Sequence, residues 1–155
     1  MKYLNYTSQF IVFWLFFFLV NRIVFALFFM DEIRAASFTE LLTIFPKSIP
    51  LDISFISYLL VPIVVLLCIN SFLKKQEFLT KVIYGLVGFF ILLTGVIAGG
   101  EVALYSEWQT KLNFTALSHF VNPDEVFKTA SLGHVFTSVL FIVISLVFIR
   151  IYKKK

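Results

Sequence analysis

Arg22 is the charge set deepest in an apolar run. It stands eight residues before Met30, in a stretch from about Phe10 to Met30 interrupted only by Asn21 and Arg22. On a helix that distance is roughly 12 Å of rise. A guanidinium so far inside hydrocarbon carries a penalty of about 2.5 to 3.5 kcal/mol unless it pairs or snorkels. Two carboxylates stand near the ends of later apolar runs, Asp52 and Glu101, at the level Arg22 can reach. These residues predict a polar cluster of Arg22, Asp52 and Glu101 that contacts a lipid head group. The other reading of Arg22 is an outward snorkel to lipid phosphate, which its long stem permits.

Little else in the chain has the makings of a reaction centre. His119 and His134 lack further ligands at the spacing that zinc or di-iron sites use, so the expectation is no bound metal and no cofactor in this chain. Cys68, the only cysteine, lies inside an apolar run and reads as a buried, inert thiol. No nucleophile elbow, phosphate loop, paired catalytic carboxylates or Cys/His arrangement is present, so no residue is assigned a catalytic role. Asn5-Tyr6-Thr7 and Asn113-Phe114-Thr115 match the glycosylation acceptor pattern, which is common by chance.

The elements that must position these residues are membrane spans. With 60% hydrophobic and 14% charged residues over 155 positions, the chain cannot hide its apolar surface in a water-soluble globule. Its 21 Phe residues, some consecutive as in Phe16-Phe17-Phe18, suit helices that face lipid on most sides. A span needs roughly 20 apolar residues to cross ~30 Å of hydrocarbon. Segments 10–30, 53–73, 78–100 and 132–151 meet that length. They predict an all-α polytopic membrane bundle of four helices in a single domain. The N-terminal run has no small-x-small cleavage site after it and reads as a retained anchor.

Charge orients the spans. Lys2, Lys74, Lys75, Lys81, Arg150 and Lys153 to Lys155 fall on one side with a single acid, Glu77. The opposite side holds Arg34, Lys47, Lys111 and Lys128 against eight acids: Asp31, Glu32, Glu40, Asp52, Glu101, Glu107, Asp124 and Glu125. Insertion keeps Lys and Arg in the cytoplasm, so both termini are expected inside and segments 31–52 and 101–131 outside. The net charge of +4 is used up in that flanking pattern, and no basic face with interleaved aromatics points to nucleic acid.

The outer segments carry pattern of their own. Phe38, Leu41, Leu42 and Phe45 recur at helical spacing and predict a short interfacial helix over 35–45, ended by Pro46 and Pro50, with Asp52 as N-cap of the second span. Trp108, Phe114 and Leu117 predict a second loop at the interface, and Pro123-Asp124-Glu125 the start of another helix. Within the spans, Pro62 removes a backbone bond to Tyr58 and predicts a kink. Gly88, Gly95 and Gly99 share one face, with Gly95 to Gly99 forming a GxxxG that reads as internal packing ahead of homodimerisation.

Two stretches together carry a resemblance. One is Leu51-Asp52-Ile53-Ser54 followed by Ser57-Tyr58; the other is Glu101, Leu104-Tyr105, Trp108, Leu112-Asn113, Ala116-Leu117, Pro123 and Glu125. This pattern resembles the N-terminal membrane region of the lipoteichoic acid synthase-like phosphoglycerol transferases and related membrane sulfatases of the alkaline phosphatase superfamily. The resemblance implies a role for Asp52, Tyr58, Glu101, Tyr105, Trp108, Asn113, Pro123 and Glu125. It also implies a catalytic domain in cis beyond Lys155, outside the membrane, where a Thr nucleophile and a divalent metal such as manganese act. None of that machinery has a counterpart here, and the family's usual fifth helix is missing too.

The resulting expectation is a membrane-anchoring module of such a protein, in a bacterial cytoplasmic membrane. It would work on lipid-linked head groups at the outer leaflet without catalysis of its own. The alternative is a small non-enzymatic four-helix scaffold or accessory subunit. A transporter is a weaker reading, because apart from Asn21 and Arg22 no polar stripe crosses the midplane.

Overall fold

A computed structural model describes residues 2–35, 37–73, 76–108 and 132–153. The described residues form five helices in chain order: α1 (Lys2–Phe28), α2 (Met30–Ala35), α3 (Phe38–Leu73), α4 (Gln76–Trp108) and α5 (Leu132–Lys153). No strand occurs among them. The protein is all-α, and α1, α3, α4 and α5 each contain a stretch long and apolar enough to cross a membrane: Tyr6–Phe28, Pro46–Ile69, Glu77–Ser106 and Val135–Lys153. Only 22% to 28% of each stretch is buried inside the chain, which leaves most of the apolar surface for lipid. Helices are the form such segments take because hydrocarbon offers no partner to a free backbone N–H or C=O.

By contacts the chain divides into two compact units, Met1–Leu86 and Val87–Lys155, with α4 contributing its first turns to one and its remainder to the other. In the first unit α1 packs against α3. The buried residues of α1 are Phe10, Phe13, Trp14, Phe17 and Asn21, a stripe at three- and four-residue intervals. Those of α3 are Asp52, Ile56, Leu59 and Ile63. Phe18 meets Phe55 edge to face at 5.6 Å between ring centroids, while Arg22 bonds Asp52. Descending numbers on α1 pair with ascending numbers on α3, so the two helices run antiparallel.

Phe29 interrupts α1 for a single residue. The N–H of Phe29 still donates to the carbonyl of Phe25 at 3.3 Å, and that of Ile33 to Phe29 at 3.1 Å, so α2 carries the hydrogen-bonded spiral onward. Asp31 and Glu32 in its first turn and Arg34 in its last complement the helix dipole. The Arg34–Asp31 contact, 3.9 Å and exposed at both ends, adds little stability.

The second span differs from its expected form. Pro46 and Pro50 do not end an interfacial helix; both lie inside α3, a 36-residue helix that also contains Pro62. A proline deletes only its own N–H bond and crowds the carbonyl four residues before it. Pro46 and Pro50 are four apart, so both disturbances fall on one side of the helix and the bonds on the other side hold it together. The residues expected as a separate helix over 35–45 therefore form the first turns of α3 from Phe38 onward. Asp52 is consequently well inside a helix and is not an N-cap. Ser37, immediately before α3, is of the residue type that caps a helix start, and its hydroxyl lies 2.6 Å from that of Thr39.

The other boundaries move by a few residues. The first span ends at Phe28, the third extends past Gly100 to Ser106, and the fourth reaches Lys153. Residues 101–108, expected in the outer loop that follows the third span, continue α4. The rest of that loop, with its expected interfacial segment and the Pro123-Asp124-Glu125 turn, lies outside the described residues, as do Lys74 and Lys75.

In the second unit the glycine face of α4 lies against α5. A Cβ placed on Gly95 would overlap the Ser145 hydroxyl oxygen and come within 3.2 Å of the Phe141 carbonyl oxygen; one on Gly99 would stand 3.0 Å from the Ser138 Cα. Such contacts let two backbones approach closely, and they occur within the chain. Ser145 is fully buried and donates to the Phe141 carbonyl at 2.9 Å, which satisfies its hydroxyl without a partner across the interface.

Candidate functional site

Arg22 and Asp52 arrive at the same depth from opposite directions. Arg22 lies six residues before the end of the first span at Phe28, and Asp52 six residues after the start of the second at Pro46. Each is therefore about 9 Å of helix rise inside its span. The guanidinium meets the carboxylate in a two-pronged contact, with Nη1 donating to Oδ2 at 2.7 Å and Nη2 to Oδ1 at 2.5 Å. This fork-to-fork geometry is the strongest form of the pair, since both partners are charged and planar.

The two partners are unequally covered. The Asp52 side chain is 9% exposed, that of Arg22 29%. A guanidinium has five N–H donors, and the pair uses two. Three remain, on the more open member. A carboxylate buried among apolar helices needs such a counter-charge, and a half-open guanidinium neutralises it while keeping donors for another anion.

Asn21, beside Arg22, is buried in the α1 stripe. Its Nδ2 donates to the Phe17 carbonyl at 2.8 Å, one turn back, but its Oδ1 is buried without a hydrogen-bond partner among the described residues. Trp14 stands two turns away on the same face, fully buried, and its indole N–H is likewise unpaired. Its ring is surrounded by Phe10, Phe13, Phe17 and Phe18 at centroid distances of 5.6 to 6.3 Å. An acceptor and a donor left unpaired in an apolar interior are uncommon and demand a reason. Asn21 had a visible signal in the sequence, as one of two polar residues interrupting a run; Trp14 had none until the seven-residue spacing from Asn21 is laid on a helix.

The remaining candidates belong to other parts of the chain. Glu101 is half-buried in α4, within the other unit, and forms no ion pair among the described residues. Tyr58 is exposed on α3, and Tyr105 is half-buried near the end of α4. Cys68, expected to be buried, is exposed on α3, because the helix turns the opposite side, with Ile56, Leu59 and Ile63, inward. Trp108 is the last residue of α4, while Asn113, Pro123 and Glu125 lie outside the described residues, as does His119. His134 belongs to α5. Among the described residues no three His, Cys, Asp or Glu side chains converge on a point. Comparison with protein-family models, with curated proteins and with solved structures finds no match.

Proposed function

We propose that this chain is a membrane module that holds the polar head of an anionic lipid at Arg22, for chemistry carried out by a phosphoglycerol transferase or sulfatase-like catalytic domain. The observation that carries the reading is the uneven cover of the ion pair: Asp52 is enclosed, while Arg22 keeps three N–H donors and 29% of its side chain exposed. A planar guanidinium recognises phosphate in the same two-pronged way as carboxylate, so a lipid phosphate can share Arg22 with Asp52. The resemblance of the Asp52 to Tyr58 and Glu101 to Glu125 segments to the lipoteichoic acid synthase-like membrane region supplies the class of chemistry.

The test is lipid selectivity of the whole chain. Reconstituted with equal amounts of phosphatidylglycerol and phosphatidylcholine and examined by native mass spectrometry, the protein is expected to retain the anionic lipid preferentially. Arg22→Leu should reduce that preference fivefold or more. Equal retention by wild type and variant would remove Arg22 from lipid recognition.

The same reading places the protein in a bacterial cytoplasmic membrane with both termini inside, supported by the excess of Lys and Arg at the ends facing Lys2 and Lys153. In a Cys68→Ser background, a cysteine replacing Ser106 should react with a membrane-impermeant maleimide in intact spheroplasts, and one replacing Lys153 only after permeabilisation. The reverse labelling pattern inverts the topology and moves Arg22 to the inner leaflet.

A further inference from the structure

The buried residues of α3 leave an opposite face whose character is unexpected for lipid contact. Leu51, Ser54, Tyr58, Val61, Val65 and Cys68 are all exposed. Their spacing alternates three and four, the repeat by which one helix keeps a constant face toward a neighbouring helix. Tyr58 is the most open of them at 78% and sits midway along the 24-residue apolar stretch Pro46–Ile69. A tyrosine on the lipid surface belongs at the interface, where its hydroxyl reaches water. At mid-span that hydroxyl has no partner among the described residues, and Pro62 withholds the N–H that would otherwise bond the Tyr58 carbonyl.

We propose that this seam is the contact between two copies of the chain, α3 against α3, in parallel across a two-fold axis along the membrane normal. Hydrogen-bond complementarity identifies the occupant. The Ser54 hydroxyl already donates to the Pro50 carbonyl at 2.9 Å, so it presents only lone pairs outward. Ser57 does the same, donating to the Ile53 carbonyl at 2.7 Å. Tyr58 has a donor to place. Side chains on a helix lean toward its N-terminus, so the phenol oxygen sits about one turn before its own Cα, at the level of Ser54.

Two copies inserted in the same orientation necessarily present parallel α3 helices. Across the two-fold axis each Tyr58 then reaches the Ser54 oxygen of its mate, and the pairing is made twice. An unrelated helix would need an acceptor at that depth by coincidence; a second copy has it by symmetry. Val61 and Val65 fill the seam below, and Cys68 stands at its inner end.

Cys68 makes the test direct, because it is the only cysteine in the chain. In a parallel pair the two Cys68 side chains face each other across the axis. Copper-phenanthroline oxidation of the full chain in lipid vesicles at high dilution should give a disulfide-linked dimer. In a Cys68→Ser background, Val65→Cys should cross-link comparably and Val64→Cys, one step around the helix, should not. Tyr58→Phe and Ser54→Ala should each weaken association by about threefold to tenfold, and combining them should weaken it little further, as expected when both remove one shared bond. Absence of dimer at both Cys68 and V65C overturns the proposal. Equal cross-linking at V64C and V65C also overturns it, as random collision.

Discussion

Asp52→Ala is expected to destabilise the protein by about 3 kcal/mol, roughly a hundredfold in the ratio of folded to unfolded molecules. The variant leaves Arg22 in the apolar contact between α1 and α3 with no counter-charge, while removing both of its hydrogen bonds. Loss of one partner from a buried pair costs about 3 to 5 kcal/mol, and the lower end applies because Arg22 is 29% exposed. The double variant Arg22→Leu with Asp52→Leu is expected to recover most of the loss, since an apolar pair of similar bulk needs no desolvation. Trp14, buried on the same helix, makes its fluorescence the probe of unfolding in mixed detergent micelles. A double variant as unstable as the single one would show that the pair does not work as a unit.

The pair thus has separable parts. Stability requires Asp52 and Arg22 together or neither, whereas the proposed lipid selectivity requires Arg22 alone. The leucine pair should therefore fold and lose its preference for anionic lipid, a combination that general misfolding does not produce.

Gly95→Ala is expected to be the second most disruptive change, and Gly95→Leu more so. The new Cβ meets the Ser145 hydroxyl oxygen and lies within 3.2 Å of both the Ser145 Cβ and the Phe141 carbonyl oxygen. Ser145 cannot swing aside freely, because its hydroxyl is bonded to that same carbonyl. Overpacking of this kind costs about 1 to 3 kcal/mol for one methyl group. Gly85 and Gly100 have open space where a Cβ would go, so alanine there should be neutral or raise stability by up to about 1 kcal/mol through helix propensity. Thermal unfolding followed by circular dichroism separates the two groups. Equal responses at positions 95 and 100 would mean that α4 and α5 do not pack through Gly95. Adding Ser145→Ala to Gly95→Ala should restore only part of the loss, since the backbone carbonyl remains.

The amino-acid pattern alone already carries much of this architecture. Four apolar runs of about 20 residues marked α1, α3, α4 and α5, because span length follows from bilayer thickness and rise per residue. Arg22 advertised its need for a partner in the same way, as a charge too deep to leave alone. The proline positions misled, however. Pro46 and Pro50 read as helix terminators, yet α3 runs through both, because each removes one bond from a helix whose other bonds remain. Glu101, at the end of the third apolar run, likewise suggested the start of a loop, while α4 continues through 101–106.

Composition and periodicity by themselves determined the class of the protein, an all-α chain with four potential membrane spans, since hydrocarbon compels every apolar segment to satisfy its backbone locally. The acid that answers Arg22 is another matter. Asp52 and Glu101 were equally placed by span position, and the choice of Asp52 follows from the register in which α1 meets α3, fixed by contacts such as Phe18 on Phe55 between residues far apart in sequence. The same holds for the outward seam of α3. Its three-and-four spacing lies in the chain, but only packing shows that Ile56, Leu59 and Ile63 are used within the molecule while Ser54, Tyr58 and Val61 are left outside. A helix offers several faces at similar spacing, and the neighbours it meets decide which one is buried.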